Sequence, residues 1–338
     1  MTSELNQTNK HRVWNFWQAL NSANESGVAE IAREYVDEAI ELTASHPIHQ
    51  QHGRDAVVAN LWQPFLSAFP GLRRECFVFI SGQFEGKDWV AATGVFSGAF
   101  ARDWLDIPAS GKTTTIRFGE FCALRDGKII ENYLLLDLVD VMRQAGIRVL
   151  PISPGDENYF PPSIGARGVL LESQDERESK NSLQLVEAMI GGLGQFDGAD
   201  ATKMNQTDFW SSQMHWYGPC GIGASRNRSE YERNHQTPFL TAFPDRKGFT
   251  HPEGGRHKAR FAEGHFVAST GWPSVRATHL GAYLGTPATG KRISMRVMDF
   301  WRRENNVLMQ NWVFIDLPEL FLQFDVDLFA RLREQRAK

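Results

Sequence analysis

The chain has 338 residues, of which 42% are hydrophobic and 22% charged, with a formal net charge of −4 at pH 7. Its length predicts two domains, each able to bury its own core, and its mild negative charge without a basic stripe in either half argues against nucleic-acid or anionic-membrane partners. No apolar run approaches the roughly 20 residues of a membrane-spanning helix.

Cysteine use and the polar first residues predict a cytoplasmic protein. Cys76, Cys122 and Cys220 are widely spaced, which favours buried thiols in a reducing compartment over a disulfide framework. The opening stretch MTSELNQTNKHR has no apolar segment of the kind found in a signal peptide. Composition by itself predicts no more than this.

Apolar spacing predicts helices in the first part of the chain and strands after them. Apolar residues recur at helical intervals over 13–20 and 28–35, and residues 54–69 predict a third helix kinked by a proline. Stretches 76–80 and 89–100 then have the composition of strands. Three helices followed by a run of antiparallel strands predict an α+β fold.

A proline-rich and charged connector separates two similar halves. We place it at residues 149–180, between domains at 1–148 and 181–338. The second half then repeats the pattern of the first, because TPFLTAFP at 237–244 closely matches QPFLSAFP at 63–70. With two copies of domain size, the repeat indicates tandem domains and not a solenoid.

The strongest match between the halves is a pair of predicted hairpins. RFGEFCALRDGKIIENYLLLD begins at Arg117, and RVMDFWRRENNVLMQNWVFID begins at Arg296. Both ends of the two segments are 179 residues apart, so they align without a gap. Each has turn residues at its centre between apolar runs, which indicates a β-hairpin.

The turn positions also predict which residues face each other across these hairpins. They place Glu120 opposite Leu134 and Asp299 opposite Val313. Arg117 then faces Asp137, and Arg296 faces Asp316 in the same way. We interpret the two Arg–Asp pairs as structural, since charge-assisted cross-strand pairs fix a register.

Each half resembles the SnoaL-like polyketide cyclase family, within the nuclear-transport-factor-like and cystatin-like superfamily. The resemblance rests on helices ending in AFP, on THLGAYLGTPATGK and its first-half counterpart, and on the final hairpin with its terminal aspartate. It implies two tandem cones, each with three helices packed on a strongly curved antiparallel sheet around an apolar pocket. It also implies an intramolecular pseudo-dimer of the two domains, with a homodimer of whole chains as a further option.

The chain departs from the resemblance at the catalytic positions. In the cyclases an acid/base aspartate lies on the last strand, where this chain has Leu134 and Val313. The cyclases' histidine on the partner strand corresponds here to Glu120 and Asp299. Ring closure of a polyketide therefore does not transfer directly to this chain.

Asp299 is the strongest candidate for acid/base chemistry. Val297 and Trp301 share its face of the strand, and Val313 lies opposite, so the carboxyl is poorly solvated and its pKa should rise. Asn311, diagonal to Asp299, is predicted to orient the carboxyl or to donate to an oxyanion. A buried carboxyl that is satisfied within the hairpin is the competing, structural interpretation, and Glu120 with Asn132 in the first half fits either.

Further candidates lie in MHWYGP and ATHLG. His215 and Tyr217 are predicted at the end of the second helix of the second half, where the resemblance implies that they adjoin the pocket. They would then shuttle a proton and donate to an oxyanion, whereas an aromatic plug is the structural alternative. His279 would face either the pocket or a backbone carbonyl. Trp216 and Trp301 favour a flat or aromatic ligand.

The sequence predicts neither a metal site nor a dinucleotide site. His251, His257 and His265 lie in a glycine-rich segment with acids nearby, but their spacing matches no zinc signature, so no metal is predicted. The glycines of GPCGIGASR lack the spacing of a dinucleotide site.

The sequence thus predicts a cofactor-independent cyclase, isomerase, lyase or hydrolase for a small, mostly apolar substrate. Its site lies in the second domain, and the first is degenerate. A non-catalytic ligand-binding or scaffold protein is the alternative.

Overall fold

The computed structural model describes residues 4–337, which form two domains of the same topology. The α-helices are α1 Glu4–Asn21, α2 Val28–Tyr35, α3 Arg54–Val57, α4 Gln63–Ala68, α5 Leu138–Gln144, α6 Glu176–Leu193, α7 Arg228–Tyr231, α8 Thr237–Ala242, α9 Leu317–Leu322 and α10 Leu328–Arg336. The strands are β1 Val36–Ala44, β2 Gln50–His52, β3 Arg73–Phe84, β4 Lys87–Ala99, β5 Thr113–Arg125, β6 Lys128–Leu136, β7 Trp210–Tyr217, β8 Ala224–Ser225, β9 His257–Glu263, β10 Phe266–Thr278, β11 Arg292–Glu304 and β12 Val307–Ile315. None of the described helices is both long and apolar enough to cross a bilayer.

Each domain has one six-stranded sheet with helices, so the predicted α+β fold with an internal duplication is confirmed. The strand orders are β2-β1-β6-β5-β4-β3 and β8-β7-β12-β11-β10-β9. The prediction of an antiparallel sheet needs correction, because β1 pairs with β6, and β7 with β12, in parallel. The sheets are therefore mixed. These two pairs join strands that are distant in sequence, and no hairpin constrains their direction.

Strand β7 corrects a second prediction. His215, Trp216 and Tyr217 lie on this strand and not at the end of a helix. Its more deeply buried side chains include Trp210, Met214 and Trp216, which alternate as on a strand with one face toward a core. His215 and Trp216 consequently point to opposite faces of the sheet.

The predicted hairpin registers are confirmed. Glu120 pairs with Leu134, and Asp299 pairs with Val313. A bulge lies close to each turn, between Ala123 and Leu124 in the first domain and between Arg302 and Arg303 in the second. Both turns contain a residue at positive φ, as tight hairpin turns require.

In each domain the helix that precedes the long strands contains a wide turn. A π-helical segment joins α3 to α4 at Val58–Trp62, and another joins α7 to α8 at Glu232–Gln236. A proline follows each segment, at Pro64 and Pro238. Proline cannot donate a backbone hydrogen bond and crowds the carbonyl four residues before it, so a widened turn accommodates it.

The connector between the repeats packs along the sheet of the first domain. Phe79 N donates to Gly168 O at 3.0 Å, and Leu170 N donates to Phe79 O at 3.0 Å, so the connector extends the edge strand β3. Helix α6 already begins at Glu176, before the end of the predicted linker at residue 180. The connector is therefore part of the folded structure and does not act as a free tether.

The two sheets face each other across a second hydrophobic cluster. Phe121 and Phe300, equivalent positions of the two repeats, meet there with ring centroids 5.4 Å apart. The contacts around them are reciprocal as well. Asp137 Oδ2 accepts from Cys220 N at 2.9 Å, and Asp316 Oδ2 accepts from His46 N at 3.1 Å.

Candidate active site

The second domain encloses a mostly apolar cavity of about 470 Å³ between its sheet and its helices. Its inner wall is formed by residues of α6, β7, the α7–α8 helix, β11 and β12, which include Met189, Ile190, Trp210, Trp216, Tyr231, His235, Phe239, Val297, Asp299, Trp301, Asn311, Val313 and Ile315. The segment 244–251 lines it as well. A volume of several hundred Å³ with few polar groups is typical of a small-molecule site.

Asp299 places its carboxyl on this cavity from the middle of β11. Asn311 Nδ2 donates to Asp299 Oδ1 at 3.3 Å and also to Phe300 O at 3.2 Å, so the amide holds the carboxyl from one side. Burial raises the pKa of Asp299 to about 7, and the Asn311 hydrogen bond opposes that rise. Within residues 4–337, Asp299 makes no ion pair. The group can therefore both release and take up a proton near neutral pH.

Five residues that the sequence assigned to a site do line the same cavity. They are Trp216, Val297, Trp301, Asn311 and Val313. They lie near Asp299 because side chains two apart on a strand share a face, and because β11, β12 and β7 are neighbours in the sheet.

His215 and Tyr217, in contrast, are not among the residues that line the cavity. His215 Nδ1 lies 3.1 Å from Tyr159 Oη, in the connector. Tyr217 belongs to the cluster between the two sheets and accepts a hydrogen bond from Gln310 Nε2 at 2.8 Å. Since both side chains point away from Trp216, they do not meet Asp299.

His279 is also absent from the cavity wall. Its ring stacks on Phe324 at a centroid distance of 3.9 Å, and its Nδ1 lies 3.1 Å from Thr289 Oγ1. Burial lowers the pKa of His279, which favours the neutral ring. This environment is that of a core histidine.

Several polar residues of the cavity were missed in the sequence, and three of them bear on its chemistry. Tyr231, His235 and Arg246 all line it. His235 stacks on Trp216 at 4.2 Å, and burial lowers its pKa to about 3, so the imidazole is neutral at pH 7. Burial raises the pKa of Tyr231; the charge of Arg246 lowers this pKa, and that of Asp299 raises it further.

A comparison of the two repeats would have identified these three residues. The offset of 174 residues that aligns QPFLSAFP with TPFLTAFP puts Val57, Leu61 and Leu72 at the corresponding positions. Each of these three polar residues therefore replaces an apolar one in the first copy. That difference was present in the sequence as a signal.

The acid of the first domain has a different environment. Arg74 Nη1 donates to Glu120 Oε2 at 2.5 Å, and Asn132 Nδ2 donates to Glu120 Oε1 at 2.9 Å. The Arg74 guanidinium lies over the Trp17 ring at 3.9 Å and is itself buried. Glu120 is thus held in an enclosed ion pair, whereas Asp299 opens onto a cavity.

The histidines of the glycine-rich segment do not gather around one point. His257 bonds to Ser269 and Arg260, His251 accepts from a neighbouring backbone N–H, and His265 lies 3.6 Å from Glu178.

Among residues 4–337, the only His, Cys, Asp and Glu side chains close enough to share a metal ion are His46, His49 and Glu319. They lie at the domain boundary and away from the cavity, and Glu319 already lies 3.4 Å from Arg296.

Comparison with known proteins gives a match over both repeats. The sequence profile of the SnoaL-like polyketide cyclase family matches residues 12–145 and 206–324. No curated protein matches the chain.

Among solved structures, a candidate SnoaL-like polyketide cyclase from Jannaschia sp. CCS1 is 21% identical over 42% of this chain and 94% of its own, with a TM-score of 0.35. IdmH, a candidate polyketide cyclase from Streptomyces antibioticus, is 21% identical over 41% of this chain and 99% of its own, with a TM-score of 0.34. AclR, a candidate hydroxylase from Streptomyces galilaeus, is 20% identical over 44% and 86%, with a TM-score of 0.35.

Proposed function

The chain belongs to the SnoaL-like polyketide cyclase family, with one family domain in each half. From this premise we propose that the second domain is a cofactor-independent acid/base enzyme, and that Asp299 moves a proton on a small, flat, mostly apolar substrate. A proton-transfer reaction of the cyclase, isomerase, lyase or hydrolase type is the class we assign. The first domain supports the fold and has lost its site.

One observation carries the proposal. The Asp299 carboxyl faces a cavity of about 470 Å³ and has no cationic partner among the described residues, and burial brings its pKa to about 7. Near neutral pH, a carboxyl with such a pKa is a stronger base than an ordinary carboxylate and a stronger acid than water. The paired Glu120, at the equivalent position, shows that the fold itself does not require this environment.

The neighbouring groups have separate tasks in this proposal. Asn311 orients the carboxyl through its hydrogen bond of 3.3 Å. The Tyr231 hydroxyl donates to the substrate oxygen that gains negative charge as Asp299 removes the proton. Trp216 and Trp301 bind the flat faces of the substrate. His215, Tyr217 and His279 have no part in it, because they do not line the cavity.

The test uses a generic carbon acid, 5-nitro-1,2-benzisoxazole. A base removes the proton on C3 of this flat aromatic molecule, the N–O bond breaks, and a coloured cyanophenolate forms. We expect turnover by the wild-type protein to rise with pH through about 7, as Asp299 ionises. Asp299→Asn should lower the rate by about 10²-fold or more, which is the usual contribution of a positioned base.

Glu120→Gln is the matched control, since it removes the equivalent acid of the first domain. It should leave the rate per folded molecule unchanged. Equal rates for wild-type protein and Asp299→Asn would contradict the assignment of Asp299. A loss in both variants would point to a structural effect and not to chemistry in the second domain.

A second candidate function is a non-catalytic carrier of the same ligands. It is favoured by Val313, which stands where the resemblance places the cyclases' aspartate. A carrier would bind the aromatic probe in both wild-type and Asp299→Asn proteins, and its turnover would not exceed that of the solvent.

A further inference from the structure

Arg246 is a cation without an anion in the wall of the cavity. It follows α8, in the segment that closes one side of the cavity, and within the described residues it makes no ion pair. Its Nη2 donates to Leu193 O at 3.0 Å and contacts Met204 Sδ at 3.2 Å. Both partners are uncharged, so the positive charge is not neutralised.

The remaining donors of Arg246 are poorly satisfied. Its Nε is buried and has no hydrogen-bond partner in the described chain. The guanidinium lies 5.4 Å from the centre of the Phe196 ring, which gives only a weak cation–π contact. Burial lowers the pKa of Arg246, as expected for a partly desolvated cation, but arginine stays protonated at neutral pH. A partly desolvated cation without a counter-ion is costly, and an incoming anion would reduce that cost.

Apart from Asp299, the other charged residues of the lining already have partners. Lys247 pairs with Glu253, and Asp197 pairs with Lys203. Asp245 accepts hydrogen bonds from Thr278 through both oxygens, at 2.8 and 2.6 Å. Arg246 is thus the one cation of this lining that is left to a ligand.

The fold does not require an arginine at this position. Leu72 occupies the corresponding place in the first domain, where it is buried in the hydrophobic core. The charge therefore appears only in the copy that has the cavity. An unpaired arginine destabilises the unliganded second domain, and the first domain has a leucine at this position. Arg246 is therefore best explained by a role in binding.

We propose that the ligand of this cavity is an aromatic carboxylic acid, bound through its carboxylate by the guanidinium of Arg246. Guanidinium and carboxylate match in a two-bond geometry, and the apolar body of the ligand then lies against Trp216 and Trp301. This inference rests on the proposed function, because it names the substrate class of the same cavity.

The experiment compares two probes of nearly the same shape, 2-anthracenecarboxylic acid and its neutral primary amide. Binding is followed by quenching of tryptophan fluorescence and by calorimetry at pH 7. We expect the acid to bind the wild-type protein at least about tenfold more tightly than the amide, since a charge-assisted hydrogen bond is worth that much. Arg246→Leu, which installs the residue of the first domain, should abolish this preference and leave the affinity for the amide nearly unchanged.

Lys247→Met is the matched control. It removes a neighbouring positive charge from the same lining but spares the unpaired arginine, so the preference for the acid should survive. Loss of the preference in both variants would show a general effect of net charge and overturn the assignment to Arg246.

The remaining outcomes separate this inference from the proposed function. Equal binding of acid and amide by the wild-type protein would overturn the inference alone, because the cavity would still take an aromatic ligand. Turnover of the benzisoxazole with equal binding would lead to the same conclusion. If neither probe bound, both the inference and the proposed cavity would fall. The wild-type comparison stands even if Arg246→Leu folds poorly.

Discussion

Asp299 and Glu120 show how one position in a fold acquires two different chemical characters. They are 179 residues apart, on equivalent strands, and each accepts a hydrogen bond from an equivalent asparagine. The difference is Arg74, which pairs with Glu120 and lies over the Trp17 ring, whereas Asp299 faces a cavity. Pairing favours the charged carboxylate, while burial without a cation favours the protonated acid.

The pKa of Asp299 predicts how its substitution changes stability with pH. The folded pKa is about 7 and the ordinary value is 3.8, so between these pH values the folded protein holds a proton that the unfolded chain releases. This contribution to stability is fully present below about pH 4 and is lost as the pH rises through 7. Asparagine cannot ionise, so Asp299→Asn should gain stability relative to the wild type as the pH is raised from 4 to 8. The gain has an upper limit of about 4 kcal/mol.

Urea unfolding of both proteins at several pH values measures this difference. Subtracting the two curves removes the contributions of Asp137 and Asp316, whose pKa values burial also raises, each to about 6. A difference that stays flat from pH 4 to 8 would mean that Asp299 titrates normally. In that case the carboxyl would also lose its advantage as a base at neutral pH.

At the scale of elements, the aspartate that ends each hairpin joins three segments. Asp316 caps helix α9 by accepting from Glu319 N at 3.4 Å, pairs with Arg296 at 3.2 Å and accepts from His46 N of the other domain. Asp137 makes the equivalent contacts with α5, Arg117 and Cys220. The hairpin end, the following helix and the other domain therefore share one acceptor group.

Substitution of Asp316 separates its charge from its role as an acceptor. Burial raises the pKa of Asp316 to about 6 against the opposing effect of Arg296, so the charged form gains little from its surroundings. Both oxygens of Asp316 accept hydrogen bonds, so Asp316→Asn keeps one acceptor and loses the other, and it should cost about 1–2 kcal/mol. Asp316→Ala leaves a helix end and a buried N–H without an acceptor, and should cost about 2–4 kcal/mol. Urea unfolding at pH 7 tests this order, which equal losses in the two variants would contradict.

The hairpins were predictable because their register is set locally. Asp126 and Asn305 occupy the turns at positive φ, and from these turns the sequence places Asp299 opposite Val313 correctly. Strand β7 was mistaken for a helix because its parallel partner, β12, lies about 95 residues further along the chain. Local propensity cannot reveal a pairing between segments so far apart in sequence, although the buried residues Trp210, Met214 and Trp216 do alternate as on a strand.

The same limit, that only local contacts can be predicted from the sequence, explains which residues of the candidate site were found. Asp299, Asn311, Trp301 and Val313 belong to one hairpin, so their proximity follows from its register. His215 was assigned to the pocket because β7 was predicted to be a helix. On a strand, neighbouring residues point to opposite faces of the sheet, so His215 points away from the face that Trp216 shares with the cavity. Arg246 lies in a connection without regular structure, and its missing counter-ion becomes visible only when the chain is folded.

At the scale of the whole molecule, the two domains associate as the halves of a twofold dimer do. Phe121 contacts its own equivalent, Phe300, and the contact between Asp137 and Cys220 is repeated by Asp316 and His46. Contacts that are exchanged in this way define an isologous interface. Both partners of this interface thus lie in one chain, and the cavity of about 470 Å³ lies in the second of them.

A buried ion pair between Lys10 and Glu263 links the first domain to the second. Lys10 of α1 donates to Glu263 Oε1 of β9 at 2.6 Å and to Leu170 O of the connector at 2.7 Å, and both charged side chains are at most 1% exposed. Lys10→Met would remove a positive charge that lies 2.6 Å from a buried carboxylate, which should cost roughly 3–5 kcal/mol.

The matched control for Lys10→Met is Arg33→Met, which breaks an exposed ion pair with Glu30 in the same domain. It should cost less than about 1 kcal/mol, because exposed pairs are solvated and contribute little. In the double variant Lys10→Met, Glu263→Gln, no charge is left unpaired, so the loss should be smaller than the sum of the two single losses. Urea unfolding at pH 7 measures all four variants. Similar losses for Lys10→Met and Arg33→Met would mean that water reaches the Lys10–Glu263 pair and that the domain boundary is open.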